Sequence, residues 1–576
     1  MYTRIKNFFV LTAILTAFLC GSKAFASENS MLNIPVLDSI FGKTPTIEKP
    51  ETKDFQSKII RVLLSNNGTF DQKEITVSAE EEIFVTSDDN LLANTTSPVR
   101  IQKDEEYFLV ETQGVIQKIP TNQKIILKTK SLPIIINNFK KAGKTASYLG
   151  ELEISASKGN NIKVINIIDI EDYIRGVVPN EMPVYFGLEA LKAQAISARG
   201  YAYRDAVYKT SGYDVCDTTG SQVYYGANSY SPVSDRAIKE TLGQFAIYDG
   251  KVILSLYSST AGGHTENYEN VFSQNGMDIK FPAEPIPYLK GVPDDENAPD
   301  LSRETHAKDF YTQKPETFDN ASPKYRWEYT VSKEELGEVL KKNLMKFSKS
   351  PFVKPSLINP NDFGKILNID IPKRGVSGKA MYVRITTDKN TFLIAKEIMI
   401  RQIFALNNKW LPSANVVVER IEEGNKLKGF KIYGGGFGHG VGLSQFGAMG
   451  MAKKGYTYDE ILKHYYTGIS IGSYPVECNL TELKNCKSTF YAPNKNAKLI
   501  LNYAQKPHDI AFKINGEEVK ISINKLSKNQ GEVDLKNFVK TGVNTIEISS
   551  YNANLLDYIN PSIKFYVELS GNSYEK

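Results

Sequence analysis

The stretch VPNEMPVYFGLEALKAQAISAR, Val178–Arg199, decides how this chain is read. It sets Glu181 between two structural signals. Upstream lies an apolar, strand-like run, Ile162–Ile170, followed by Glu171-Asp172-Tyr173-Ile174-Arg175-Gly176-Val177-Val178-Pro179. Downstream, Pro183 is expected to open a helix, with Leu188, Leu191, Ala195, Ala198 and Ala202 spaced near 3.6 residues. A carboxylate on a short elbow between strand and helix suits acid–base work. The other reading makes Glu181 a helix-start acid that complements the macrodipole.

A second segment works with the first. Tyr433–Ile471 reads YGGGFGHGVGLSQFGAMGMAKKGYTYDEILKHYYTGISI, with Gly434, Gly435, Gly436, Gly438, Gly440 and Gly442 around His439. Glycines permit positive φ and close backbone approach. The spacing is too irregular for a dinucleotide fingerprint and lacks the Lys-Ser/Thr ending of a phosphate loop. Ser444 reads as the N-cap of a helix through Ala452, stopped by Gly455. Thr457 and Glu460 have capping-box spacing for the next helix, which carries His464 and Tyr465. We expect Gly434–Gly442 to loop so that His439 stands against the groove holding Glu181. The alternative is a His439 that braces loops through backbone carbonyls.

Together these segments resemble the SpoIID/LytB family. The resemblance rests on VVPNEMP, LEALKAQAISARGYAY, CDTTGSQVYYG, SSTAGGHTEN and the glycine–histidine segment, in order over about Ser147–Ile471. It implies peptidoglycan as the substrate. The sporulation branch implies a lytic transglycosylase whose acid is the glutamate of the V-P-x-E-M motif, here Glu181. The LytB branch implies a wall-binding protein that stimulates a separate amidase. A third class, an adhesive β-protein with a vestigial core, fits the motifs less well.

Composition agrees with an ordinary globular chain. There are 576 residues, 41% hydrophobic and 23% charged, with a net charge of +5. So small an excess does not argue for nucleic acid, though it favours an anionic wall. Arg4 and Lys6 precede an apolar run, Phe8–Leu19, too short for a comfortable span, and Ala24-Phe25-Ala26 reads as a cleavage site. Residues 1–26 are therefore expected to be a signal peptide, with the product exported to the cell wall, periplasm or exterior and no stable membrane span. Phe18 and Leu19 stand before Cys20 where a lipoprotein site wants small residues.

Three cysteines remain after cleavage. Cys478 and Cys486 enclose a short loop, and export permits a disulfide. Cys216 reads as a small buried hydrophobe. Some family members hold a metal near this position with an extra His and a second Cys. Here Ser221 takes the second position and no His lies between Asp172 and His264. No metal and no cofactor are expected.

The expected fold class is α+β: a mixed α/β SpoIID-like catalytic core flanked by an N-terminal β-rich module and a C-terminal β-sandwich-like module. Residues 27–53 read as a linker and 54–146 as the N-terminal module, with strands at Ile59–Leu64, Ile75–Val77, Ile83–Val85, Tyr107–Val110 and Lys124–Lys128. Residues 147–475 form the SpoIID/LytB-like domain, in which Pro282–Phe318 reads as a surface excursion. Residues 488–576 form the C-terminal module, where alternation on both sides of Asn515-Gly516 signals a hairpin.

Glycoside hydrolysis usually takes two carboxylates, but the motifs supply one, Glu181. Glu189 lies too far along the helix to pair with it, and Asp169, Glu171 and Asp172 read as solvated or strand-end charges. One acid suffices if the sugar's own C6 hydroxyl attacks the anomeric carbon. The product then ends in 1,6-anhydromuramic acid. Such an acid wants a raised pKa, which burial supplies and a helix N-terminus opposes. Expected substrate-binding residues are Gln222 and Tyr224, beside Tyr225, for stacking and hydrogen bonding to sugar. Ser258, Thr260 and His264 come from a hydroxyl-rich loop, and His439 and Gln445 line the opposite wall. Buried structural roles are the alternative for each. Expected partners are peptidoglycan glycan strands and an amidase or other wall hydrolase, without nucleic acid.

Overall fold

The computed structural model describes residues 57–203, 211–274, 279–295, 298–479, 486–503, 509–521, 530–552 and 562–569. The expected signal peptide and linker lie outside these residues.

The described chain falls into two compact units. The first comprises Arg61–Ile168 and Cys216–Pro232. Its strands alternate buried and half-buried positions, the mark of a sheet with one face on a core. One sheet runs Ile59–Leu64, Ile162–Asp169, Glu151–Ala156, Ile125–Lys128, Ile83–Ser87, Asn90–Thr95 in spatial order. The other runs Lys144–Tyr148, Ile134–Lys141, Glu74–Ser78, Val99–Lys103, Tyr107–Thr112, Val115–Pro120. Ile75, Val77, Ile83, Val85, Val99 and Ile101 are fully buried within it. The unit takes in more chain than residues 54–146, because Glu151–Ala156 pairs with both Ile125–Lys128 and Ile162–Asp169.

The second unit comprises Asp169–Val215 and Val233 onward. Its central helix, Leu188–Tyr203, packs on the strand Gln244–Tyr248 and on the helices Gln445–Lys453 and Tyr458–Tyr465. A second core gathers the helix Lys333–Lys346, the sheet Trp327–Ser332, Lys426–Gly434, Val416–Glu423, and the four strands Val353–Lys354, Thr391–Ala395, Ala380–Thr387 and Ile366–Arg374. The segment Pro282–Phe318 is not a surface excursion. Leu289, Leu301 and Ala307 within it have no exposed surface, and the helix Glu304–Thr312 buries Phe310 and Tyr311.

The C-terminal strands form two facing sheets over one core of Phe490, Leu499, Leu501, Phe512, Phe565 and Val567. The hairpin at Asn515-Gly516 is present, with Phe512 opposite Val519 and both turn residues at positive φ, 53° and 86°. This layer is continuous with the unit. Ser562–Leu569 meets Ser470–Ser473 through Gly472 and Glu568, extending the sheet that holds Gln244–Tyr248. Cys478 and Cys486 are bonded to each other.

Candidate active site

Glu181 stands where the chain turns three times in twenty residues. Asp169 ends the strand and N-caps Ile170–Arg175, its carboxylate accepting from the Glu171 amide at 2.8 Å. A single helical turn, Val178–Glu181, follows. Pro183 does not open the long helix as expected. It precedes a 3₁₀ turn, Val184–Phe186, and Gly187 at φ 101° breaks the path before the helix begins at Leu188. Glu181 thus ends a short turn of its own and is not a residue of the long helix's first turn. The Glu181 side chain is half-buried, Met182 and Phe186 are buried, and Tyr185 is 65% exposed.

The acids around Glu181 are committed elsewhere. Glu171 binds Arg199 bidentately, at 2.8 and 2.7 Å, with Arg199 fully buried. Asp172 pairs with Arg175 at 3.1 Å. Glu189 binds Lys192 at 2.8 Å and accepts from the Tyr458 amide at 2.8 Å. The expectation that Glu171 and Asp172 are solvated strand-end charges is corrected by these pairs.

The glycine–histidine segment reaches this elbow through its helix. Ser444 caps Gln445–Lys453 by accepting from the Gly447 amide, and Thr457 and Glu460 form the expected capping box. Gln445 Nε2 donates to the Glu181 carbonyl at 3.0 Å and to Gln194 Oε1 at 3.1 Å. Beside it, Phe446 meets Phe186 edge-on, centroids 4.7 Å apart.

The glycines serve close backbone packing against the SSTAGG loop. Thr260 and Phe437 exchange backbone hydrogen bonds, and the Ala261 amide donates to Ser444 Oγ at 3.2 Å. A Cβ on Gly436 would stand 2.9 Å from the Thr260 and Ala261 carbonyls. One on Gly442 would stand 2.2 Å from the Leu256 carbonyl.

His439 is half-buried within this packing. Its Nδ1 accepts from the Val441 amide at 3.0 Å, and its ring also bonds the Tyr257 backbone. Burial, then the charge of Lys379, push its pKa down to about 4, so the ring is neutral at pH 7. Ser258 is buried and pairs in parallel with Ser444. Thr260 donates to Asp319 at 2.5 Å. His264 is buried, with Nδ1 2.6 Å from the Thr265 carbonyl, and burial lowers its pKa.

Gln222 and Tyr224 belong to the first unit and have no exposed surface. The Tyr224 hydroxyl donates to Asn166 Oδ1 at 2.8 Å, and its ring packs against Tyr148. Cys216 is buried, with Ser221 Oγ 3.4 Å from its sulfur. Among the described residues no group of three His, Cys, Asp or Glu side chains could hold a metal ion.

Several residues went unnoticed in the sequence. Glu266 is fully buried and accepts from the amides of Asn267, Val376 and Ser377 and from the Ser377 hydroxyl. Lys379 is buried beside Asn415, and burial lowers its pKa to about 8. Asp319 is buried and its pKa rises to about 6, from burial and then the charge of Asp294. Val376 and Ser377 lie 110 and 111 positions from Glu266, and Asn415 lies 36 from Lys379, so no local spacing marks these contacts.

Sequence comparisons relate the chain to known proteins. The profile of the stage II sporulation protein SpoIID matches residues 158–248, and that of a domain of unknown function (DUF8618) matches 277–442. An uncharacterized protein of Brachyspira hyodysenteriae is 33% identical over 313 residues, which are 54% of this chain and 68% of that protein. The amidase enhancer of Bacillus subtilis is 30% identical over 309 residues, 52% of this chain and 40% of the enhancer. Stage II sporulation protein D of Bacillus subtilis is 29% identical over 324 residues, 53% of this chain and 74% of that protein. The chain belongs to the SpoIID/LytB family, and membership carries a cell-wall-related function. No helix among the described residues is long and apolar enough to cross a membrane.

Proposed function

We propose that this protein is an exported lytic transglycosylase that cleaves peptidoglycan glycan strands with Glu181 as its one acid and base. The observation that supports this most is the commitment of Glu171, Asp172 and Glu189 to Arg199, Arg175 and Lys192. Glu181 is the acid of the V-P-x-E-M motif at this elbow, half-buried at the end of its turn, and a single acid and base matches a reaction in which the substrate brings its own nucleophile.

The steps balance without water. Glu181 gives its proton to the glycosidic oxygen, and the bond from that oxygen to the anomeric carbon breaks. The C6 hydroxyl oxygen of the same muramyl ring bonds to the anomeric carbon. Glu181 takes that hydroxyl's proton and is restored. The products are a new free sugar end and a 1,6-anhydromuramyl end.

A second reading is a wall-binding protein that stimulates an amidase. It is favoured by the 30% identity to a protein named amidase enhancer. The Glu181→Gln variant separates the two, because it keeps the side-chain shape and removes the titrating proton. We expect it to bind glycan strands as the wild type does and to cleave them ~10²–10⁴-fold more slowly, the usual worth of general acid catalysis. Cleavage within a few fold of wild type would reject Glu181 as the acid.

A further inference from the structure

We propose that Gln445 is a positioning residue that fixes where the Glu181 carboxylate stands, and that Gln194 holds Gln445 in place. The inference rests on the reading of Glu181 as the acid. It gives Gln445 a different task from the sugar contact that its sequence position suggested.

The orientation of both amides follows from one contact. A backbone carbonyl only accepts, so the Gln445 atom 3.0 Å from the Glu181 carbonyl is its NH₂ nitrogen. That nitrogen has two hydrogens. The second points to Gln194 at 3.1 Å, so Gln194 presents its oxygen there. Both donors of Gln445 are thereby used inside the protein. Gln445 is 6% exposed and Gln194 has no exposed surface.

The carbonyl concerned is well placed to act as a lever. Glu181 is the last residue of its helical turn, where carbonyls lack a partner in their own helix. Holding that carbonyl fixes the peptide plane after Glu181, and with it the direction of the Glu181 Cα–Cβ bond. Catalytic groups need placement within about 0.5 Å. The lever also explains why two motifs 264 positions apart occur in one chain. One supplies the acid, and the other supplies the side chain that aims it.

Packing alone does not account for the pair. Among the described residues, the buried Gln194 Nε2 meets no hydrogen-bond partner. Two methionines would fill similar space and strand no donor, so a merely structural contact would be better made without amides.

The test uses the full mature chain and soluble, peptide-free glycan strands. Gln445→Met keeps the side chain's length and removes its donors. We expect it to fold, with a thermal midpoint within a few degrees of wild type, and to lose about 10–100-fold in kcat with little change in KM, since misplacement by about 1 Å can cost 10²-fold. Gln194→Met should lower kcat in the same way and less, without touching the elbow, and it serves if Gln445→Met does not fold. The Glu181→Gln/Gln445→Met double variant should be no slower than Glu181→Gln and should bind glycan equally well. A Gln445→Met enzyme with wild-type kcat would overturn the proposal. So would weaker glycan binding by the double variant than by Glu181→Gln, which would make Gln445 a sugar contact. Active Glu181→Gln, or an inactive wild type, would instead reject the acid itself and the positioning role with it.

Discussion

Arg199 and Glu171 lock the two ends of the Glu181 elbow together. The guanidinium, fully buried on the long helix, binds both oxygens of a carboxylate on the short helix before Glu181. Its remaining arm donates to the Gln244 carbonyl at 2.9 Å. Breaking a buried pair strands one charge, at about 3–5 kcal/mol. Arg199→Met should therefore lose that much stability in denaturant unfolding. Arg199→Met/Glu171→Leu should regain most of it, because no charge is left unpaired. A single variant within about 0.5 kcal/mol of wild type, the usual effect of a bland surface change, would show that the pair does not hold the elbow.

The glycines of the histidine segment should not be equivalent. Gly442 and Gly440 both have φ of 73°, so either alanine bears a backbone strain of about 1–2 kcal/mol. A Cβ at Gly442 would also overlap the Leu256 carbonyl at 2.2 Å, whereas one at Gly440 meets only the end of Lys379 at 3.5 Å. Gly442→Ala should be several kcal/mol worse than Gly440→Ala by thermal or chemical unfolding. Equal losses would mean that φ alone explains the glycines.

Acid should unfold this protein partly through His439. Its pKa lies near 4 in the folded chain against an ordinary 6.5. The unfolded chain takes up the proton first, so stability falls as pH drops from about 6.5 to about 4, by up to about 3 kcal/mol. Asp319 acts the other way. Its folded pKa near 6 exceeds the ordinary 3.8, so its contribution is present at low pH and lost as pH rises through 6. His439→Gln should keep the Asp319 effect and lose less stability than wild type between pH 6.5 and 4. Parallel curves for the two proteins would rule out a neutral His439 in the folded chain.

What the sequence reveals and what it hides divide along chain distance. The Asn515-Gly516 hairpin, the Ser444 cap and the Thr457–Glu460 box were legible because each is settled within about five residues. The start of the long helix was misplaced because Pro183 looks like a first-turn proline, and only the backbone shows that Gly187 breaks the path. Val115–Pro120 escaped notice because it lies at a sheet edge, where burial does not enforce alternation. Segment Pro282–Phe318 looked solvent-facing because its acids are plentiful, yet Asp294 is buried and takes the Tyr465 hydroxyl at 3.0 Å. Of the site, Glu181 and Gln445 were named from motifs. Their direct contact was not readable, because nothing local records which carbonyl a distant amide will find.

The disulfide offers a local check on the C-terminal layer. Cys478 and Cys486 close a loop of sequence separation 8 beside the strand Ser562–Leu569. Closing so short a loop is worth about 2–3 kcal/mol. The Cys478→Ser/Cys486→Ser variant should unfold at correspondingly lower denaturant and still cleave glycan at the wild-type rate when folded. Loss of cleavage in the folded variant would show that the C-terminal layer takes part in the reaction.

The central claim is that one carboxylate, Glu181, cleaves glycan strands without water. Mass spectrometry of purified strands after incubation in H₂¹⁸O reads this directly. The account predicts that wild type leaves 1,6-anhydromuramyl ends, lighter by one water than hydrolysed ends and free of ¹⁸O, and that Glu181→Gln leaves almost none. Reducing muramyl ends carrying ¹⁸O, or uncut strands with the wild-type protein, would contradict it.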